Sequence, residues 1–193
     1  MSHTQTTIRL DKANKTTRMK QVQIRVRPAT RGDIPKIVWV SNNSILPSED
    51  IGFGGGLDSP FRDASKLAFT WKEPNLVRGQ QVLVAETVKH GVVGLVTIED
   101  RKNELELVNI GVPLELQRQG IGTQLVRSIE EKARQGGKTA VTLGTSRNTE
   151  GVPWKSLPWW QHLGYRITHE EENEWTRGIA PGAREIRMRK DLH

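Results

Sequence analysis

The chain contains no cysteine, a single tyrosine, and no apolar run near the ~20 residues that a membrane-spanning helix needs. Without cysteine there is no disulfide, no thiol nucleophile, no acyl-cysteine intermediate and no thiolate metal site, and no metal is expected. The first residues lack a signal-type apolar stretch, so the expected location is cytoplasmic and no membrane partner is expected. Asn42-Asn43-Ser44 matches a glycosylation acceptor, which without a secretory route reads as coincidence.

The 193 residues suffice for one domain with a real core. The formal charge of +7 is unevenly spread. Residues 1–20 carry Arg9, Lys12, Lys15, Arg18 and Lys20 against Asp11, a net +4, which leaves only +3 for the rest. This stretch is polar and without apolar periodicity, so it reads as a basic, disordered tail ahead of a single domain over 21–193. The body shows neither a continuous Lys/Arg stripe nor a DNA-reading motif, so nucleic acid is not the expected partner.

The pattern predicts a strand at about 22–27 and a helix from Asp33, with Asp33 as its cap, Pro35 in its first turn and Ile34, Ile37 and Val38 facing inward. Residues 42–58 form a long breaker-rich loop, and a second helix is expected over about 60–71. A hairpin (Val82–Val88, then Val92–Ile98) precedes a strand over 105–112 that Pro113 closes. Ile121, Leu125, Val126, Ile129 and Ala133 share one face of a helix over 120–135, which Gly136-Gly137 ends. A β-rich run at 139–145, a short helix near 157–163 and strands at 165–169 and 183–190 complete the chain. The expected fold is α+β: a mixed, mostly antiparallel central sheet flanked by helices, with 105–112 beside 139–145.

Gln117-Arg118-Gln119-Gly120-Ile121-Gly122 joins strand to helix. A helix start offers free N–H groups and the positive end of the dipole to an anion, and glycines let it approach the main chain. Alone, the motif reads equally well as an ordinary turn. In its setting it resembles the acyl-coenzyme-A motif of the GNAT N-acetyltransferase superfamily. Three further segments resemble that family in order: Ile24–Asp33, the hairpin around His90-Gly91, and Trp159-Trp160-Gln161-His162-Leu163-Gly164-Tyr165. The resemblance spans roughly 22–190.

It implies acetyl-CoA as cosubstrate, with its pantetheine arm in a gap where strands 105–112 and 139–145 splay. The implied cofactor-binding residues are Ile110, Gly111 and Val112 on the strand; Gln117, Arg118, Gln119, Gly120, Ile121, Gly122 and Thr123 in the loop; and Asn148 further on. The Val112 N–H is the candidate oxyanion donor, a contact typically worth ~10²–10³ in rate. Arg118 and Lys138 are candidate sources of extra charge. A lysine-like amine is unprotonated in about one molecule in ~2,500 at pH 7. It therefore needs a base, and Glu106, flanked by apolar Leu105 and Leu107, is the candidate, with Glu104 a lesser one. The implied reaction is direct attack of a small-molecule primary amine on the thioester. A protein N-terminal or lysine acceptor and a non-catalytic acyl-CoA-binding module are the alternatives, and the family admits a homodimer.

Two departures stand out. Trp160 occupies the place of the family's tyrosine general acid, and indole cannot supply a proton. Water, His162 or Ser146 are the substitutes on offer, since Tyr165 falls at the family's structural aromatic position. Asn148 is separated from Trp160 by an insertion carrying Trp154, expected over the acyl or acceptor pocket. The carboxylates of Glu170, Glu171, Glu172 and Glu174 beside Trp175 read either as a solvated loop or as an attractor for a cationic amine.

Overall fold

A computed structural model describes residues 22–46 and 59–192. The tail at 1–20 and most of the loop at 42–58 lie outside the described residues. The strands are β1 (Arg25–Pro28), β2 (Trp71–Lys72), β3 (Leu76–Val77), β4 (Gln80–Thr87), β5 (Gly91–Asp100), β6 (Glu104–Gly111), β7 (Ala140–Arg147), β8 (Arg166–Glu171) and β9 (Arg184–Asp191). The helices are α1 (Ile34–Asn43), α2 (Ala64–Thr70), α3 (Ile121–Gln135), α4 (Leu157–His162) and α5 (Glu174–Ile179). One sheet runs β2-β3-β4-β5-β6-β7-β9-β8, with β1 also paired to β4. Only β6 and β7 are parallel, so the sheet is mixed and mostly antiparallel, as the sequence implies.

The middle of the sheet is buried on both faces, and period-two alternation divides its side chains between two cores. Val82, Val84, Val92 and Leu95 pack under α1 and α2 with Ile37, Val40 and Leu67. Leu83, Ala85, Val93 and Val96 pack under α3 with Leu125, Val126, Ile129 and Leu143. The apolar stripe of α3 buries Ile121, Leu125, Val126, Ile129 and Ala133 to 2% exposure or less. Each larger side chain in it contributes about 1.5–3 kcal/mol. Gly136 ends this helix, its N–H returning to the Lys132 carbonyl. Inside this core Glu130 accepts from Lys190 Nζ (2.9 Å) and from the Tyr165 hydroxyl (3.2 Å). Burial and the charge of Glu130 hold the Tyr165 proton well above the usual phenol range. The one tyrosine is thus a core residue, as its place in the sequence implies.

Several local expectations change. Residues 60–71 are not one helix: Pro60–Arg62 makes a 3-10 turn, and Asp63 breaks the chain by accepting from the Lys66 N–H (2.8 Å) before α2 begins. Val40 takes the fully buried position on α1, while Val38 is half-buried. Strand β4 stops at Thr87, leaving Val88 fully exposed in the turn. The short strands β2 and β3 and the helix α5 carry no periodic signal of their own.

Asp33 precedes α1, but its carboxylate does not cap that helix. It takes a two-pronged bond from Arg27 (2.7 and 2.9 Å) and accepts from the Thr30 N–H and hydroxyl. Arg27, then Thr30, lower the Asp33 pKa to about 2 from the ordinary 3.8, against the opposing effect of burial. Asp33 therefore binds its proton less tightly in the folded than in the unfolded chain. The pairing stabilises fully above about pH 4 and is lost as pH falls toward 2. Asp33→Asn should cost about 1–2 kcal/mol at pH 7. Urea melts taken from pH 7 down to pH 2.5 should show that gap to wild type closing; a gap constant with pH would exclude the pairing as its source.

Candidate active site

Strands β6 and β7 pair from Glu104–Ala140 to Leu107–Leu143 and no further, although β6 continues to Gly111 and β7 to Arg147. Each keeps its other partner: β6 follows β5 to the Gly111–Leu95 pair, and β7 follows β9 to the Arg147–Arg184 pair. A bulge at Val108, which has no partner where Thr97 pairs with Asn109 and Ile98 with Leu107, bends β6. The strands diverge, and a cleft of about 1190 Å³ opens, walled by Val108–Val112 on one side and Gly144–Ser146 on the other.

One end of the cleft meets the start of α3. Arg118 (φ 63°) and Gly120 (φ 82°) both sit in the left-handed region, so the loop curls its N–H groups into a concave turn. The first helical bond runs from the Gln124 N–H to the Gly120 carbonyl (3.0 Å), which leaves the N–H groups of Ile121, Gly122 and Thr123 without intrahelical partners. Arg118, Gly120, Ile121, Gly122 and Thr123 all line the cleft, as do Ile110, Gly111 and Val112. This cradle fits a diphosphate: backbone donors, a dipole and no side chain at Gly120 or Gly122.

Three expected cofactor-binding residues have side chains bonded to neighbouring backbone, and of these Gln117 alone also lines the cleft. Gln117 donates from Nε2 to the carbonyls of Ser44 (3.0 Å) and Val112 (2.9 Å), tying the end of β6 to the end of α1. The amide of Gln117 is thus a structural tie. Gln119 reaches back to the Glu115 carbonyl (3.3 Å) and is not part of the cleft lining. Asn148 accepts from the N–H groups of Glu150 and Val152 (3.1 and 2.8 Å), shaping the inserted loop outside the cleft. Lys138 lies at the far end of the 15-residue α3, about 22 Å from its start, bound to Asp100 and to the Arg101 carbonyl.

Across the floor runs an ionic chain. Glu106 Oε1 accepts from Arg187 Nη1 (2.9 Å) and Oε2 from Arg101 Nε and Nη2 (3.1 and 2.9 Å). The same Arg187 nitrogen donates to Glu185 Oε1 (2.9 Å), and Asn173 Nδ2 donates to Glu185 Oε2. Burial weakens the hold of Arg187 on its proton, but Glu185 and Glu106 more than offset it and its pKa is raised. The surroundings of the Glu106 carboxylate are therefore guanidinium rather than the apolar ones its sequence neighbours suggest, because Leu105 and Leu107 turn to the opposite face. Three of its roughly four lone-pair positions are used, which leaves one on Oε1. Glu106 lines the cleft; Glu104, bonded to Arg189, does not.

Of the replacements for the missing tyrosine, His162 is exposed and outside the cleft. Ser146 lines it, fully buried and with no partner for its hydroxyl among the described residues. Trp160 is buried against Trp159 (4.3 Å between centroids) and Tyr165 (5.4 Å). Trp154 does reach the cleft, its loop stitched to β7 by the Trp154 N–H on the Ser146 carbonyl (2.8 Å). The late acidic run does not: Arg147 holds Glu170 (2.8 Å), while Glu171, Glu172 and Glu174 are exposed outside the lining. The cleft's second carboxylate is Glu185, which sequence reasoning missed along with Arg187. The alternation Glu185-Ile186-Arg187-Met188 marks a polar face, but only the pairing with β7 shows that it meets Glu106.

The sequence model of the Acetyltransferase (GNAT) family matches residues 53–165. The chain belongs to this family. No curated protein matches it significantly by sequence. Among solved structures, it resembles a spermidine N-acetyltransferase chimera from Vibrio cholerae and hSSAT (TM-score 0.65, 16% identity, covering 88% of this chain and 96% of that one). It resembles the PaiA N-acetyltransferase of Thermoplasma acidophilum, solved with coenzyme A (0.62, 16%, 88% and 99%). A ribosomal-protein-alanine N-acetyltransferase of Escherichia coli is similar too (0.61, 15%, 88% and 94%). At these identities the likeness is one of fold.

The tie made by Gln117 can be tested directly. Gln117→Leu keeps the volume but leaves the carbonyls of Ser44 and Val112 unpaired, a loss of about 1–3 kcal/mol. Thermal unfolding should show a lowered Tm; an unchanged Tm would mean that the amide bridges nothing in solution.

Proposed function

We propose that this GNAT member is an acetyl-CoA-dependent N-acetyltransferase acting on the primary amine of a small molecule by direct attack on the thioester. The observation that carries this reading is the continuous cleft from the amides at the start of α3, through the gap between β6 and β7, to Glu106. Acetyl-CoA, when bound, supplies the activated acetyl group. In this reading the N–H groups of Arg118 to Thr123 hold the diphosphate, and Ile110 to Val112 line the path of the arm. The Val112 N–H, beside a carbonyl that Gln117 fixes, serves the developing oxyanion. A new C–N bond forms as the C–S bond breaks. The nitrogen's proton passes to Glu106 Oε1, directly or through water, and the sulfur departs as thiolate. A thiol of pKa ~8.5 needs little help to leave, so the absence of a phenol is tolerable. Trp154 and Trp175, both in the lining, narrow the cleft and favour a compact acceptor over a peptide.

Trp160, buried where the family has its tyrosine, also motivates a non-catalytic acyl-CoA-binding module. Calorimetry with coenzyme A, beside a thiol-release assay on an amine panel, separates the two: heat without turnover on any amine would favour the module. Gly120→Asp sets a carboxylate in the diphosphate cradle and should weaken coenzyme A binding roughly 100-fold or more. Near-wild-type heat would refute the placement. Glu106→Gln should slow turnover most at low pH, and the deficit should shrink as the amine loses its own proton. A deficit flat from pH 6 to pH 9 would remove Glu106 as the base.

A further inference from the structure

At Gly144 the cleft has a notch that something else fills. A Cβ there would stand 2.0 Å from Glu185 Oε1 and 3.4 Å from Arg187 Nη1. The Glu185 carboxylate therefore lies directly over the backbone of β7, in the opening beyond the last β6–β7 pair, and only glycine permits it. Asn173 holds the other oxygen and also caps α5, accepting from the Thr176 N–H (3.0 Å). The same contact thus sets Trp175 at the cleft, where its ring stays 39% exposed. Ser146 is the cross-strand partner of Glu185, which places their Cβ atoms about 4.5–5.5 Å apart on one face. Its hydroxyl is the unsatisfied group: 0% exposed, in the cleft lining and unpartnered among the described residues.

We propose that Glu185, Ser146 and the indole of Trp175 bind a second, non-reacting ammonium group, so that the acceptor is a diamine or a longer polyamine. The proposal rests on the acetyltransferase reading above and names its substrate class. Each Glu185 oxygen accepts one bond and has a lone pair to spare, and Ser146 Oγ can accept as well, which matches the several donors of an ammonium. Trp175 lines the same cleft, and an indole ring attracts an ammonium. Within the cleft lining, Glu106 and Glu185 share the one guanidinium of Arg187, and Arg101 and Glu99, which extend the network, lie outside that lining. The ammonium at Glu185 is not the reacting nitrogen. An ionised carboxylate stabilises a protonated amine, and protonation already disables a lysine-like amine about 2,500-fold at pH 7. A carboxylate locked to Arg187 and Asn173 therefore suits a nitrogen that keeps its charge throughout.

The test compares n-butylamine with 1,4-diaminobutane and its longer homologues, by steady-state kinetics and by calorimetry on the full chain with and without coenzyme A. For wild type, kcat/KM should favour the diamines roughly 10- to 100-fold. Glu185→Gln should collapse that preference by about tenfold or more, mainly through the KM of the diamine, and Ser146→Ala should do so less. Coenzyme A heat serves as the check that each variant is folded. Equal use of monoamine and diamine by wild type, or a preference that survives Glu185→Gln in a folded protein, would overturn the proposal. If no amine turns over, the reading as an enzyme fails. The subsite is then decided by diamine heat alone, which Glu185→Gln must abolish. Absence of that heat in wild type would mean that the notch holds only water.

Discussion

Two ladders compete for the strands at the centre of this sheet, and neither strand can follow both. β6 keeps its antiparallel partner β5 to Gly111, and β7 keeps β9 to Arg147, so the parallel pairing between them fails beyond Leu107 and Leu143. Backbone groups that face an empty gap are costly unless something satisfies them, which is why a split inside a buried sheet is rarely left without purpose. Here the split leads to the start of α3 at one end and to the ionic chain at the other. Closing it would need only four more residue pairs, and would erase the cleft. Gln117 acts against that closure: by anchoring the Val112 carbonyl to the end of α1 it keeps the last turn of β6 away from β7.

The two ends of the cleft are built from different materials. At α3 the donors are main-chain amides, fixed by two left-handed residues and a helix axis and indifferent to side-chain identity apart from glycine. At the floor everything depends on long side chains reaching across three strands. Arg187 spans from Glu185 to Glu106 over β7, which works because Gly144 puts nothing in the way. A half-buried guanidinium shared by two carboxylates costs desolvation that its hydrogen bonds offset, and that exchange fixes geometry more than it adds stability. Such a floor suits a surface that must hold a charge in place while a neutral nitrogen reacts beside it.

This contrast explains what was legible in the sequence. The fold could be read because its elements are periodic: the stripe of α3, the two-sided burial of β4 and β5, and Gly136 as a stop. The lining of the cleft at the start of α3 could be read because a glycine motif between strand and helix is a local pattern with a local consequence. The floor could not. Glu185 and Arg187 sit eighty residues from Glu106, and nothing in β9 alone tells which strand it joins. The late acidic run is denser and looked more promising, yet Arg147 and solvent claim it. Gln119 and Asn148, both outside the cleft lining, show the converse limit. Their positions matched the family pattern, but their side chains are bonded to backbone groups nearby.

The absent phenol then becomes a statement about where the chemical burden lies. Trp160 is locked in an aromatic cluster, and Tyr165, the one phenol in the sequence, is bonded to Glu130 with its proton held more tightly than an ordinary phenol's. Neither can deliver a proton to a departing sulfur. A thiolate, however, is a tolerable leaving group at neutral pH, whereas an alkylammonium is no nucleophile at all. In the proposed reaction the demanding half is the removal of the amine's proton. Among the described residues that line the cleft, the two carboxylates, Glu106 and Glu185, are gathered at the floor by a single arginine. On the proposed reading, with Glu106 as the base, selection would act on how that arginine divides its hydrogen bonds, since whatever draws it toward Glu185 frees Glu106.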